Sequence, residues 1–448
     1  MSTAAQVLGK FAAEIKFEAI PSAVIERAKD CVIDTVGVCT FGARMPWSQM
    51  AISYARRYGR GGGCSLIGVP GEGVHAPYAA LANGVFGHAF EQDCLRDPGV
   101  GAHPGATLLP VALAICEEEG IDGKNAIAAF IAGVEIMFRI GLASHHTPEK
   151  IGFHAPGLTG PYAAAAVAGR LLGLDAEQMT NALGIAGSLS SGLLAFTKSK
   201  QGAMIKRLHL GRAAESGVLA ARLAADGFTG PETVLDGKFG FLQTFCQPDG
   251  VEPELLTKGL HETWETMRIC MKRYACHVNS HTPVQAMREL MVEHKFVAAD
   301  VVGIVVEGSE RLLSHHNLPQ PGDLMQAQYS VPFCVALALH RDPDDPKSFT
   351  NGALEDAAIG ATSRAIQLRE LGEPGRSPRS TRVIVRLQDG REVARNGDTF
   401  KGMPIDPLNR AELRRKFMLL MADSDAEAAA GLFERLESLE SQARFSLS

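Results

Sequence analysis

The sequence predicts a mainly α protein, in which a large all-helical domain is followed by a smaller α+β domain and then by a C-terminal return to helix. Three observations carry this. Apolar residues recur at three- and four-residue spacing from residue 5 to about residue 265, as in Ile25, Ala28, Val32 and Val36. Strand texture begins only near residue 295, and helical texture resumes from Ala411 onward. The chain of 448 residues is too long for one ordinary core. Its composition, 46% hydrophobic and 21% charged, is that of a folded rather than a disordered protein. The boundaries read from these changes of texture are 1–268, 269–400 and 401–448.

Each element has its own reason. MSTAAQVLGKFAAEIKFEAI carries Lys and Glu within its apolar pattern, which makes it an amphipathic helix rather than a secretory leader. NAIAAFIAGVEIMFRIG and GPYAAAAVAGRLLGL are apolar almost all round, as expected of central helices whose small residues permit close approach. DVVGIVVEGSE is a β-branched run, and STRVIVRLQDGREVARN alternates Val383, Val385 and Leu387 with Arg382, Ile384 and Arg386 before an Asp389-Gly390 hairpin turn. RDPDDPKS and RELGEPGRSPRS are loops rich in Pro and charge, and the tail from Ala411 reads as helix.

Charge narrows the function. The 44 basic and 50 acidic residues give a net charge of -6, which argues against a general nucleic-acid or anionic-membrane surface but leaves room for a local basic pocket. Nine cysteines without a CxxC pair fit reduced thiols, and a cytoplasmic location is expected. The longest uncharged run, Gln178 to Thr197, is too polar for a membrane span.

Four stretches carry candidate chemistry. GHAFEQDCLRDPGVGAHPGATLLP gathers His88, Glu91, Asp93, Asp97 and His103 around a Pro/Gly loop, and GFHAPGLTGP sets His154 between glycines. IKRLHLGRAAES places Lys206, Arg207 and His209 just ahead of Gly211, where a helix with Ala214, Val218 and Ala221 on one stripe is expected to begin. Cations at a helix N-terminus suit a carboxylate or phosphate. MKRYACHVNSHTP supplies Lys272, Arg273, His277 and His281; the last two could ligate zinc on a helix, but no third ligand accompanies them, and no metal is expected. GSLSSG does not match a nucleophile elbow, and RGGGCSLIG lacks the spacing of a dinucleotide or P-loop fingerprint.

Taken together these stretches resemble the MmgE/PrpD family, which includes 2-methylcitrate dehydratase, cis-aconitate decarboxylase and iminodisuccinate epimerase. The resemblance spans nearly the whole chain and rests on GHAFEQDCLRD with HPGATLLP, GFHAPGLTGPYAAAAVAGRLLGL, KRLHLGRAAESGVLAA, MKRYACH, AQYSVPFCVALAL and GMPIDPL. It implies a helical domain built from both ends of the chain, a smaller α+β lid domain, a homodimer, and a small di- or tricarboxylate bound without a cofactor. It assigns His103 and His277 as the acid/base pair, Lys272 and Lys206 as carboxylate-binding cations with Arg207 beside them, Asp93 as an orienting partner, and His154 as a substrate or proton-shuttling group. Two departures stand out: Cys94 interrupts the usual acidic run, and Phe333 stands where many relatives carry tyrosine, with Tyr329 one helical turn away. The expected reaction is dehydration of a hydroxy-tricarboxylate in preference to decarboxylation, with epimerisation or plain carboxylate binding as the further alternatives.

Overall fold

The computed structural model describes residues 2–199, 203–372, 377 and 379–447. The chain divides into two compact units, one comprising Met1–Ser199, Ala203–Cys270 and Leu413–Ser448, the other centred on Met271–Glu412.

The first unit is helical. Its main helices are α1 (Ser22–Gly42), α2 (Ala76–Gly87), α3 (Pro104–Glu119), α4 (Gly123–Ala143), α5 (Ala155–Leu171) and α6 (Ile205–Ala225). Small residues set the spacing. A Cβ on Gly211 of α6 would lie 2.3 Å from the Leu81 carbonyl oxygen of α2, and one on Gly217 would lie 2.2 Å from the Ala164 Cβ of α5. Thus α6 is clamped between α2 and α5 at backbone distance, where only glycine fits. Helix α4 is long and apolar enough to cross a membrane, yet 94% of that apolar window is buried within the protein.

Helix α6 starts earlier than the sequence suggests. It begins at Ile205, so Lys206, Arg207 and His209 lie within its first turns. Gly211 is a packing residue inside the helix, not its start. Strands are also not confined to the later part of the chain: Arg60–Cys64 bridges to Val74, and Leu95–Arg96 pairs antiparallel with Ile269–Cys270. A Gly-rich pentapeptide and two-residue strands carry no β-branched pattern, so they arise from tertiary packing.

A buried carboxylate ties the 258–266 segment to α4. Glu135 accepts from the backbone N–H groups of Glu265 and Thr266 at 3.0 and 2.8 Å and from the Thr266 hydroxyl at 2.8 Å, while Arg139 donates to the carbonyls of Lys258 and Thr263. Glu265 in turn binds Arg96 at 2.8 Å. The loop that follows α2 is therefore anchored through Arg96 to the segment that α4 holds.

The second unit carries a four-stranded sheet of β1 (Val301–Gly308), β2 (Gln367–Glu370), β3 (Thr381–Leu387) and β4 (Glu392–Gly397), in the order β2-β1-β3-β4. Strand β1 is parallel to β2 and antiparallel to β3, and β3 and β4 form a hairpin over the Asp389-Gly390 turn. Val383, Val385 and Leu387 face inward and Arg382 and Arg386 outward, the period-two pattern of a half-covered sheet. Helix α7 (His281–His294) packs on β3 and β4, and α8 (Val331–His340) packs on α7.

Candidate active site

Four helix ends meet in the first unit. His88 closes α2, His103 and His154 occupy the N-cap positions of α3 and α5, and Lys206 and His209 lie at the start of α6. Neither His103 nor His154 uses its ring to cap its own helix. The rings turn toward one another instead, and the positive ends of three helix dipoles are gathered around them.

At the centre, Asp93 Oδ2 lies 2.8 Å from the Nδ1 atoms of both His88 and His103. The hydrogen-bond network fixes the tautomers, since a carboxylate accepts and both Nδ1 atoms must donate. Each imidazole therefore presents an unprotonated Nε2. His88 and Asp93 are about 1% exposed, whereas His103 keeps 16% of its side-chain surface and forms the open edge of the cluster. Burial holds His88 well below the usual histidine range, against the opposing pull of Asp93, so it is neutral near pH 7. Burial alone would raise Asp93, but the two imidazole donors outweigh it and keep the carboxylate ionised.

The same three groups offer donor atoms within 4.8 Å of one another, a set that a divalent ion could use. Ligands bound about 2.0–2.1 Å from one ion sit roughly 3.3 Å apart in tetrahedral geometry. The two 2.8 Å separations are instead close ring-to-carboxylate contacts, a hydrogen bond in the case of His88, and His103 Nδ1 also lies 3.1 Å from the Cys94 carbonyl oxygen, a second acceptor for its proton.

Around this centre, the His154 ring lies 6.3 Å from that of His88, and its Nδ1 is 2.9 Å from Nδ1 of His209. Burial first, then the neighbouring histidines, hold His154 well below its ordinary value. Lys206 is buried and paired with Glu91, whose backbone is left-handed at φ 54°. A non-glycine residue there costs about 1 kcal/mol, and the buried ion pair restrains it. Arg207 is also buried, with its guanidinium carbon 4.6 Å from the centre of the Trp47 ring in a cation–π stack. The cysteine inside the acidic run packs behind the loop: Cys94 Sγ accepts from Gly105 N–H at 3.2 Å and lies 3.2 Å from Cys31 Sγ.

Lys272 and His277 belong to the second unit. Lys272 is buried, and His277 precedes α7 and accepts the Asn279 N–H at Nδ1, 3.3 Å away. That bond leaves the proton of the neutral ring on Nε2. His316 stacks on His277 with centroids 4.4 Å apart, donates from Nδ1 to the Tyr329 carbonyl at 2.9 Å and accepts from Asn279 at 3.1 Å. Burial pushes its pKa down to about 4. The Tyr329 ring is 4.8 Å from His277, so Tyr329 is a tyrosine placed beside that histidine, while Phe333 is buried in α8. His281 accepts from Tyr274 N–H and packs against Tyr274 and Phe400, a core role.

The structure thus brings Asp93 and His103 into direct contact, places His154 beside them, and gives Lys206 a carboxylate partner of its own. Sequence reasoning assigned no role to His88 and did not single out His316. His88 carried a signal in its spacing of five residues from Asp93; RLLSHHNLP, which holds His316, carried none. A cavity of about 770 Å³ in the first unit, lined by Thr40, Ser65, Glu117 and Arg444 among others, shares no residue with this cluster.

The sequence matches the MmgE/PrpD N-terminal domain over residues 6–254 and the MmgE/PrpD C-terminal domain over residues 274–438. Among curated proteins it is 29% identical to a cis-aconitate decarboxylase of Aspergillus terreus, over 95% of this chain and 91% of that protein. It is 25% identical to the cis-aconitate decarboxylase of Homo sapiens, over 93% of this chain and 88% of the relative. With both domains matched in order along one chain, this protein belongs to the MmgE/PrpD family.

Proposed function

We propose that the protein is a lyase acting on a small tricarboxylate, with cis-aconitate as its first candidate substrate and His103 as the proton carrier. One observation carries the reading: a half-open imidazole bound at Nδ1 to a buried, ionised carboxylate. Such a ring, held through its Nδ1–H, has Nε2 left for exchanging a proton with substrate. His277 differs. Its Nδ1 already accepts a hydrogen bond, so the neutral ring suits donation from Nε2–H to a substrate oxygen rather than proton transfer.

Decarboxylation of an unsaturated acid such as cis-aconitate needs one delivered proton. The bond from the methylene carbon to its carboxylate breaks, carbon dioxide leaves, and the electron pair forms the new C=C bond. The old double bond's pair then takes a proton from the His103 imidazolium at the neighbouring carbon, and His103 is reprotonated from solvent. Dehydration needs both a base for carbon and an acid for the departing hydroxyl. Of the two histidines on Asp93, His88 is sealed and His103 is the open one, and one open proton carrier supports decarboxylation ahead of dehydration, as do the activities named for the relatives. The three helix N-termini favour the remaining carboxylates. Lys206, in balance with Glu91, is proposed to add to this field.

Proton NMR of chelator-treated protein in heavy water, with cis-aconitate, citrate, 2-methylcitrate and iminodisuccinate supplied separately, tests this. The expected result is carbon dioxide release from cis-aconitate with one deuteron placed in the product. Loss of water from a hydroxy acid would move the assignment to a dehydratase, and exchange without elimination to an epimerase.

A further inference from the structure

We propose that His88 is a positioning residue for His103, acting through the carboxylate oxygen of Asp93 that the two rings share. The proposal rests on His103 being the proton carrier.

Geometry supports it in three ways. The Nδ1 atoms of His88 and His103 reach the same oxygen at the same 2.8 Å distance, so His88 competes with His103 for the charge on Asp93. The two rings meet edge to face with centroids 4.9 Å apart, which restricts rotation of His103. Finally, His88 Nε2 is buried and finds no hydrogen-bond partner among the described residues. An unmet acceptor in the interior is a stability cost that a purely space-filling position would shed by replacement with leucine or phenylalanine. At His88 that cost is carried by a ring whose other nitrogen, Nδ1, is bonded to Asp93.

The sign of the effect follows from the hydrogen bond. Donation from His88 divides the charge of the Asp93 oxygen between two rings, and removing it leaves that oxygen to His103 alone. The other ionisable groups around His88 are Lys206 with its partner Glu91, His154 with its neighbour His209, and, near Asp93, Asp34 with its partner Lys416.

The test compares His88→Leu, which removes the donor, with His88→Asn, whose side-chain amide lies near the former Nδ1. Two readouts are taken on the full-length protein. The first is the imidazole nitrogen NMR titration of His103, which needs no substrate. In His88→Leu the His103 titration should move to higher pH by about one unit, while His88→Asn stays near the parent value. The second is turnover of cis-aconitate: His88→Leu should lower kcat about 10- to 100-fold with KM little changed, its alkaline limb, where His103 loses the proton it delivers, should move up with the NMR titration, and His88→Asn should recover most of the loss. A His103 titration unchanged in a folded His88→Leu protein overturns the proposal. So does an Asn variant that titrates like the Leu variant. If the parent turns over none of the acids, the proposed substrate reading fails while the NMR arm still decides the role of His88.

Discussion

Replacing His103 by Gln removes the group that binds and releases the proton but keeps a side chain of similar size, so kcat is predicted to fall about 10²- to 10⁴-fold. His277 should respond differently. If its neutral Nε2–H serves as a donor, His277→Gln, whose amide can donate from a similar place, should retain at least about tenfold more activity than His277→Leu; equal losses would mean that His277 itself transfers protons. The buried Lys206–Glu91 pair gives a stability counterpart. Lys206→Met leaves Glu91 without its cation and is predicted to cost about 3–5 kcal/mol, whereas adding Glu91→Leu should restore much of that stability without restoring turnover. Urea denaturation beside a turnover assay checks both halves. Asp93, His103 and His154 were legible because each sits in a loop that combines glycine or proline with an ionisable group. The Lys206–Glu91 pair was not, since the two residues are 115 positions apart and only the clamping of α6 beside α2 joins them.

At the scale of elements, glycine contacts place the chemistry. Gly211 and Gly217 set how closely α6 lies to α2 and α5, and so where Lys206 and His209 stand relative to His88 and His154. Gly211→Ala forces its new methyl against the Leu81 carbonyl, and the helix must shift. The predicted cost is about 1–3 kcal/mol, with a fall in kcat larger than that loss of stability would cause at 25 °C, since the protein remains folded there. Normal turnover in a destabilised Gly211→Ala protein would show that the start of α6 need not be held so closely. The apolar all-round patterns of α4 and α5 announced buried helices in the sequence. A glycine inside a helix looks the same whether it begins the helix or packs against a neighbour, and for that reason the start of α6 was read six residues late.

For the whole molecule, the mainly α class was legible because periodicity is written in side chains that repeat: three- and four-residue spacing in the first unit, and Val383, Val385 and Leu387 on one face of β3 in the second. Proton balance was not legible, because it depends on which histidines end up dry. Burial holds His88, His154 and His209 of the first unit and His316 of the second below the ordinary histidine value. Between that value, about 6.5, and the lower values of the folded protein, the unfolded chain binds more protons, so stability rises with pH. The contribution is complete above about pH 6.5 and is lost as the solution is acidified below it. For His316, whose folded value is about 4, the loss runs from pH 6.5 to 4 and amounts to roughly 3 kcal/mol at its limit. Asp34 and Glu135, raised by burial, oppose this in part from about pH 4 upward. The urea midpoint is therefore predicted to fall steeply from pH 6.5 to 4, and His316→Gln, which cannot titrate, should flatten the decline by up to one proton's worth, about 1.4 kcal/mol per pH unit. A midpoint level across this range, or an unchanged slope in a folded His316→Gln protein, would mean that these histidines gain protons at their ordinary values and that their interiors are wetter than the packing indicates.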